Sequence, residues 1–86
     1  MKVALYSYRD QLIGFGMPIV DMNDSTAKRG FSMQMNNPDG LQNFSPKDFD
    51  LYRIGYFETD TGVIEKEDIP VLICTGTSVI GVWYYD

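Results

Sequence analysis

Basic and aromatic side chains are the chemically informative residues of this chain, because together they suit the binding of a nucleic acid. Basic groups neutralise phosphates, and aromatic rings give unpaired bases a surface on which to stack. We therefore predict a site for single-stranded DNA. The predicted phosphate contacts are Arg9, Lys28, Arg29, Lys47 and Arg53, and the predicted stacking residues are Tyr6, Tyr8 and Tyr52. The alternative interpretation is that most of the aromatic residues form the core or a dimer interface.

The aromatic run Trp83-Tyr84-Tyr85 near the C-terminus has the same two interpretations. Aromatic residues are enriched in the buried centres of protein interfaces. We predict that the run anchors an interface, with base stacking as the alternative. A domain of 86 residues buries only a modest share of its surface on folding, so we also expect a homodimer.

The charge balance opposes a general affinity for nucleic acid. Twelve acids against seven bases give a net charge of −5, whereas nonspecific binding depends on phosphate neutralisation by Lys and Arg. A local basic face is still compatible with this balance. The acidic surface favours a competing hypothesis, in which the chain is a protein-interaction module without direct DNA contact.

Residues suited to catalysis or metal binding are poorly represented. The chain has no histidine, which removes Ser–His and Cys–His nucleophilic systems and most transition-metal sites. Asp60-Thr61-Gly62 matches the tripeptide of aspartic proteases. The residues before it are Glu58 and Thr59 instead of an apolar strand, so we interpret it as a hairpin turn. We expect no enzyme activity, no cofactor and no metal.

The cysteine content indicates the compartment. Cys74 is the only cysteine, so no disulfide can form within the chain, which fits a reducing cytoplasm. Its place in the apolar run Val-Leu-Ile-Cys predicts a buried side chain. No apolar run approaches the roughly 20 residues of a membrane helix. We expect a soluble cytoplasmic protein with a single domain over residues 1–86 and no contact with a membrane.

The N-terminal part predicts extended structure followed by a helix. Alternating apolar residues predict a strand over 2–9, with Tyr6 and Tyr8 on the same face. A second extended segment over 15–20 contains Pro18, which suits a sheet edge or a loop.

A cluster of helix-capping residues, Asn-Asp-Ser-Thr, predicts a helix over 24–36. Ala27, Phe31 and Met35 follow one another at intervals of four, so they form one apolar stripe. Gly30 lowers the helix propensity by about 1 kcal/mol relative to alanine. We expect close packing against the sheet to explain this glycine.

The middle of the chain predicts a helical turn followed by a strand. Ser45 is the expected cap of the turn, and Pro46 suits its first position. Aromatic and branched residues predict a strand over 50–58. Regular alternation would place Leu51, Arg53, Gly55 and Phe57 on one face and Tyr52, Ile54 and Tyr56 on the other.

The last third predicts short strands. A turn over 58–62 leads to a return strand over 63–66, which residues 68–70 break. Strands over 71–75 and 77–85 follow. The expected fold is α+β, with a small, mostly antiparallel sheet of four to five strands and one main helix packed on one face.

Several segments together resemble a known phage family. They are Asn23-Asp24, Ala27, Arg29, Phe31, Asn36-Asn37-Pro38, the run Ser45-Pro46-x-Asp48-Phe49-Asp50-Leu51-Tyr52-Arg53-Ile54-Gly55-x-Phe57, and Thr61-Gly62. In this order and spacing they resemble the small nonstructural protein of gokushovirus-type phages of the Microviridae. The resemblance covers roughly residues 3 to 75, and residues 77–86 depart from the family's usual pattern.

The resemblance implies a nonstructural protein that is made in the cytoplasm of the infected bacterium. It further implies a DNA-binding protein with a part in the synthesis or packaging of a single-stranded genome. It supplies no binding residues, so the candidate residues rest on the basic and aromatic pattern alone. Under the competing hypothesis, the module binds a host replication protein or a phage assembly protein.

Overall fold

The computed structural model describes residues 1–37 and 45–81 and confirms the predicted α+β class. Five strands and one α-helix make up most of this part of the chain. They are β1 (Lys2–Asp10), β2 (Gly14–Phe15), β3 (Ile19–Asp21), α1 (Asp24–Asn36), β4 (Phe49–Glu58) and β5 (Ile64–Thr75). Short 3-10 helices cover Pro46–Asp48 and Thr77–Val79.

The sheet is antiparallel throughout these strands, with β1 at its centre. Strands β2 and β3 pair with one side of β1, β4 pairs with the other side, and β5 pairs with β4. Pro18 lies between β2 and β3, at the sheet edge where a missing N–H is tolerated. The prediction of an interrupted edge segment is therefore confirmed.

Helix α1 begins with a reciprocal capping box. The Asn23 side chain accepts from the Thr26 N–H at 3.0 Å, and the Thr26 hydroxyl accepts from the Asn23 N–H at 3.3 Å. The predicted stripe of Ala27, Phe31 and Met35 is buried against the sheet. It packs on a core that also contains Ala4, Tyr6, Leu51, Cys74 and Val79.

The expectation that close packing explains Gly30 is wrong. A Cβ built at Gly30 meets no atom within 4 Å. Among the described residues, Gly55 and Gly76 do face tight backbone contacts, and the tighter is that of Gly76, which follows β5. Its amide donates to the carbonyl oxygen of Phe49 at 2.7 Å, and an added Cβ would overlap the carbonyl oxygens of Pro46 and Phe49.

Strand β4 contains an extra residue that reverses its alternation. Tyr6 lies opposite Arg53, whereas Leu5 lies opposite Gly55, so Ile54 has no partner on β1. A bulge of this kind shifts the following side chains to the other face. The predicted face of Leu51, Arg53, Gly55 and Phe57 is therefore wrong beyond Ile54. Tyr56 shares the helix-covered face with Arg53, and Phe57 points away from it.

The two predictions for the end of the sheet are also wrong. Residues 68–70 do not end a strand, because β5 continues from Ile64 to Thr75. They lie within β5, where its regular pairing with β4 is interrupted near Ile54. Residues 77–79 form a 3-10 helix instead of a strand. The rest of the predicted strand, over 82–85, lies outside the described residues.

The Asn36 side chain holds the segment that follows β5. Its amide nitrogen donates to the carbonyl oxygens of Ser32 at 2.7 Å and Val79 at 2.9 Å, and its oxygen accepts from the Gly81 N–H at 2.7 Å. Val79 is completely buried. One side chain thus joins the end of α1 to the segment after β5.

Two predicted turns are confirmed. Pro46–Asp48 forms the helical turn, although the Ser45 side chain makes no capping hydrogen bond. In the hairpin between β4 and β5, Gly62 has a φ of 78°, which glycine adopts without strain. The Asp60-Thr61-Gly62 tripeptide therefore lies in a hairpin turn.

The two glycines give a matched pair for a stability test. We expect Gly76→Ala to lower the free energy of unfolding by about 1–3 kcal/mol, because the methyl group overlaps fixed backbone. Gly30→Ala should raise it by about 0.5–1 kcal/mol, because the site is open and helical. Urea unfolding measures both. A Gly76→Ala variant as stable as the parent would contradict the packing.

The core also predicts an alkaline loss of stability. Burial raises the pKa of the Cys74 thiol to about 11 and that of the Tyr8 hydroxyl to about 12. Both groups are favoured in their neutral form in the folded state, so their stabilisation is complete below about pH 9 and falls as the pH rises toward 12. The urea midpoint should therefore decrease over this range, with a smaller decrease in Cys74→Ala. A midpoint that stays constant up to pH 11 would contradict this.

Candidate nucleic-acid interface

Arg53 lies between two carboxylates on the helix-covered face of the sheet. Its Nε donates to Glu67 Oε2 at 2.6 Å, and its Nη1 donates to Asp24 Oδ2 at 2.8 Å. The Tyr6 hydroxyl donates to the same Asp24 side chain at 2.6 Å. Asp24 is the first residue of α1, and Glu67 lies in the irregular part of β5. Arg53, which belongs to β4, thus connects α1 to β5.

These contacts determine the charge state of the cluster. The hydrogen bond to Glu67 and that to Asp24 raise the pKa of the Arg53 guanidinium, outweighing its partial burial. Burial, reinforced by the bond to Asp24, raises the pKa of the Tyr6 hydroxyl. The guanidinium is therefore permanently charged and already paired with two carboxylates, and a DNA phosphate would have to compete with both.

Two of the predicted stacking residues belong to the core. Tyr6 has no exposed surface, and the Tyr8 ring packs edge to face on Phe31 with 5.0 Å between ring centroids. A base cannot stack on a ring that has no exposed surface, so Tyr6 leaves the candidate set. Tyr8 is half-buried against the helix, so its ring offers little exposed surface to a base.

The opposite side of the sheet, which we call the open face, carries the remaining candidates Arg9 and Tyr52. The register places Phe15 opposite Arg9 and Tyr52 opposite Ser7. The Arg9 guanidinium lies over the Phe15 ring at 5.7 Å, and the rings of Phe15 and Tyr52 meet edge to face at 5.3 Å. The three side chains form one continuous aromatic and basic surface.

The open face continues toward the far edge of the sheet. Phe57 lies opposite Ile64, and Lys66 lies opposite Gly55, which puts these side chains on the same face as Leu5 and Tyr52. Ile64 and Lys66 are exposed, and Phe57 is half-buried. The face therefore presents aromatic and apolar groups along its length, with a basic group near each end.

The strand register also separates the charges. Acids at Asp10, Asp21, Glu58 and Glu65 lie opposite residues of the helix-covered face. Among the residues that the register assigns to the open face, Asp50 is the acid, and it is 8% exposed and accepts from Gln11 Nε2 at 3.3 Å. The open face therefore carries two bases, Arg9 and Lys66, and one buried acid, Asp50, which lies opposite Arg9.

The five predicted phosphate contacts do not share one face. Lys28 and Arg29 lie on α1, Lys28 near Arg53 and Asp24 on the helix side. Lys47 is exposed in the 3-10 helix before β4. Arg9 lies on the open face, across the sheet from Arg53 and from the residues of α1. The predicted interface residues Trp83, Tyr84 and Tyr85 lie outside the described residues.

The family of the chain follows from its sequence match over this same fold. Residues 3–79 match the family model of the phage ORF5 protein, and they include all of the described strands and the α-helix except Lys2, the first residue of β1. The chain belongs to the phage ORF5 protein family. No curated protein and no solved structure matches the chain. In this family member, no helix of the described residues is long and apolar enough to cross a membrane.

Sequence reasoning missed Phe15, Phe57 and Lys66 as members of the basic and aromatic surface. For Phe15 the signal was available, because an edge segment that pairs with the first strand brings Phe15 beside Arg9. For Phe57 and Lys66 it was not, because their face depends on the bulge at Ile54.

The contacts of Arg53 predict a difference between two cationic residues of this phage ORF5 protein. We expect Arg53→Met to lower the free energy of unfolding by about 1.5–3 kcal/mol, because hydrogen bonds to partly buried charged groups are lost. Lys2→Met should cost less than about 1 kcal/mol, because the pair of Lys2 with Glu65 is largely exposed. Thermal and urea unfolding compare the two, and equal losses would contradict the assigned role of Arg53.

Proposed function

We propose that this phage ORF5 protein is a non-enzymatic protein that binds single-stranded DNA through the open face of its sheet. It acts in genome replication or packaging of a gokushovirus-type phage of the Microviridae, in the cytoplasm of the host bacterium. The open face supports the DNA-binding part of this proposal, and the family resemblance supports the rest. Tyr6, Tyr8 and Arg53 take no part in the contact, because they are packed or paired on the other face.

The observation that carries the proposal is the combination of rings and bases on one surface. Phe15 is 47% exposed and lies between Arg9 and Tyr52. Stacking of a base on an aromatic side chain contributes about 1–3 kcal/mol and tolerates any base. Unpaired bases expose these π-faces, whereas duplex DNA keeps them stacked. The arrangement therefore favours single strands over duplex.

The net charge of −5 limits the electrostatic share of the binding energy. Two bases, Arg9 and Lys66, lie on the open face. Each neutralised phosphate of a single strand contributes about −0.7 to the slope of log K against log salt. Two contacts predict a slope of about −1.4, so stacking supplies most of the affinity.

Exchange of Tyr52 tests the stacking. We expect Tyr52→Leu to weaken binding of a labelled oligothymidine by about tenfold, because one stacking ring is lost. Tyr56→Leu is the matched control: the same substitution four residues away, on the helix-covered face. Fluorescence anisotropy at several salt concentrations, with a duplex of equal length for comparison, measures the affinity. Equal affinities of the two variants would contradict the assigned face.

The same titration separates the two hypotheses about function. Arg9→Gln should reduce the salt slope by about 0.7, whereas Lys2→Gln on the other face should leave it unchanged. If the parent chain does not bind the oligothymidine at low salt, where electrostatic attraction is strongest, the DNA-binding proposal is contradicted. The alternative is a protein-interaction module that binds a host replication or phage assembly protein, which the acidic surface supports.

A further inference from the structure

The segment between β1 and α1 exposes an unusual amount of apolar surface. Six large apolar side chains, which we call the apolar ribbon, lie within eleven residues: Leu12, Ile13, Met17, Ile19, Val20 and Met22. Each is between 41% and 86% exposed. Ile19 pairs with Tyr6 and Val20 with Leu5, so the ribbon follows the sheet edge and reaches both faces of the sheet. Single exposed apolar residues are common, but so many within one edge segment mark an interaction surface.

The backbone of the ribbon is fixed to the sheet. The Gly16 N–H donates to the Tyr8 carbonyl oxygen at 2.8 Å, and the Gly16 carbonyl oxygen accepts from the Ser7 hydroxyl at 2.9 Å. The Gln11 N–H donates to the carbonyl oxygen of Asp48 at 2.8 Å. The ribbon is therefore presented in a defined shape, which lowers the entropy lost when a partner binds.

Charge identifies the partner that fits the ribbon. Residues 11–20 contain no acid and no base, whereas the whole chain carries −5. The one acid within the ribbon, Asp21, is half-buried and accepts hydrogen bonds from the Thr26 hydroxyl and the Met22 N–H. Two copies of so acidic a chain repel each other, and the repulsion is least where their uncharged surfaces meet. An apolar centre of this kind also suits a standard interface, which takes about 800 Å² from each partner.

We propose that the apolar ribbon is the contact through which two copies of this chain form a homodimer. The contact is isologous, so the ribbon of one copy packs against the ribbon of the other. A small domain that buries little surface alone gains stability from this burial. The proposal goes beyond DNA binding and does not depend on it, because the dimer is measured without DNA. One stacking ring, Phe15, lies in the same segment, between Ile13 and Met17.

The oligomeric state tests the proposal. Sedimentation velocity of the full chain, from low to high micromolar concentration, should show a dimer for the parent. Ile13→Asp should raise the dissociation constant of the dimer at least tenfold, because it places like charges in the contact. Ile69→Asp is the matched control, since Ile69 is 75% exposed on β5 at the other edge of the sheet. Circular dichroism verifies that both variants are folded.

Three results would overturn the proposal. The first is a parent chain that is monomeric throughout the concentration range. The second is equal weakening of the dimer by Ile13→Asp and Ile69→Asp. The third is a dimer that survives Ile13→Asp but dissociates when residues 82–86 are removed, which would transfer the contact to the aromatic run. Removal must begin after Gly81, because Val79 belongs to the core.

Discussion

The guanidinium of Arg53 is the group on which the arrangement of helix and sheet depends. It reaches the helix-covered face at the bulge in β4, and there it meets Asp24 of α1 and Glu67 of β5. Without its charge, the partly buried Glu67 carboxylate would lose its ion pair, and Asp24 would keep only the Tyr6 hydroxyl as a partner in this cluster. One cation therefore holds the first turn of the helix and the irregular part of the edge strand against the same sheet.

This interaction has a consequence for the other side of the sheet. The bulge that turns Tyr56 toward the helix, onto the same face as Arg53, also turns Phe57 toward the open face. Acids cluster around the helix side, where Arg53 and Lys2 pair with some of them. The open face keeps aromatic rings and two bases. A chain with a net negative charge thus presents one surface on which aromatic rings and basic groups lie together.

The parts of this structure that could be predicted from the sequence are those set by local chemistry. The capping cluster before Ala27 and the four-residue spacing up to Met35 determined α1, and the proline at position 18 determined the broken edge. The parts that could not be predicted depend on pairing between distant strands. Alternation in β4 fails at Ile54 because the partner strands set the register there. The predicted site residues lie on two faces for the same reason. Arg9 and Tyr52 share the open face only because β1 and β4 pair.

The pairing of β1 with β4 also governs the order in which the molecule can form during synthesis. Lys2 lies opposite Glu58, so the central ladder cannot be completed until the first 58 residues have left the ribosome. Contacts this distant in sequence slow folding, because a long loop must close first. Through that interval the side of β1 that pairs with β4 has no partner, and an unpaired strand edge of this kind is prone to aggregation.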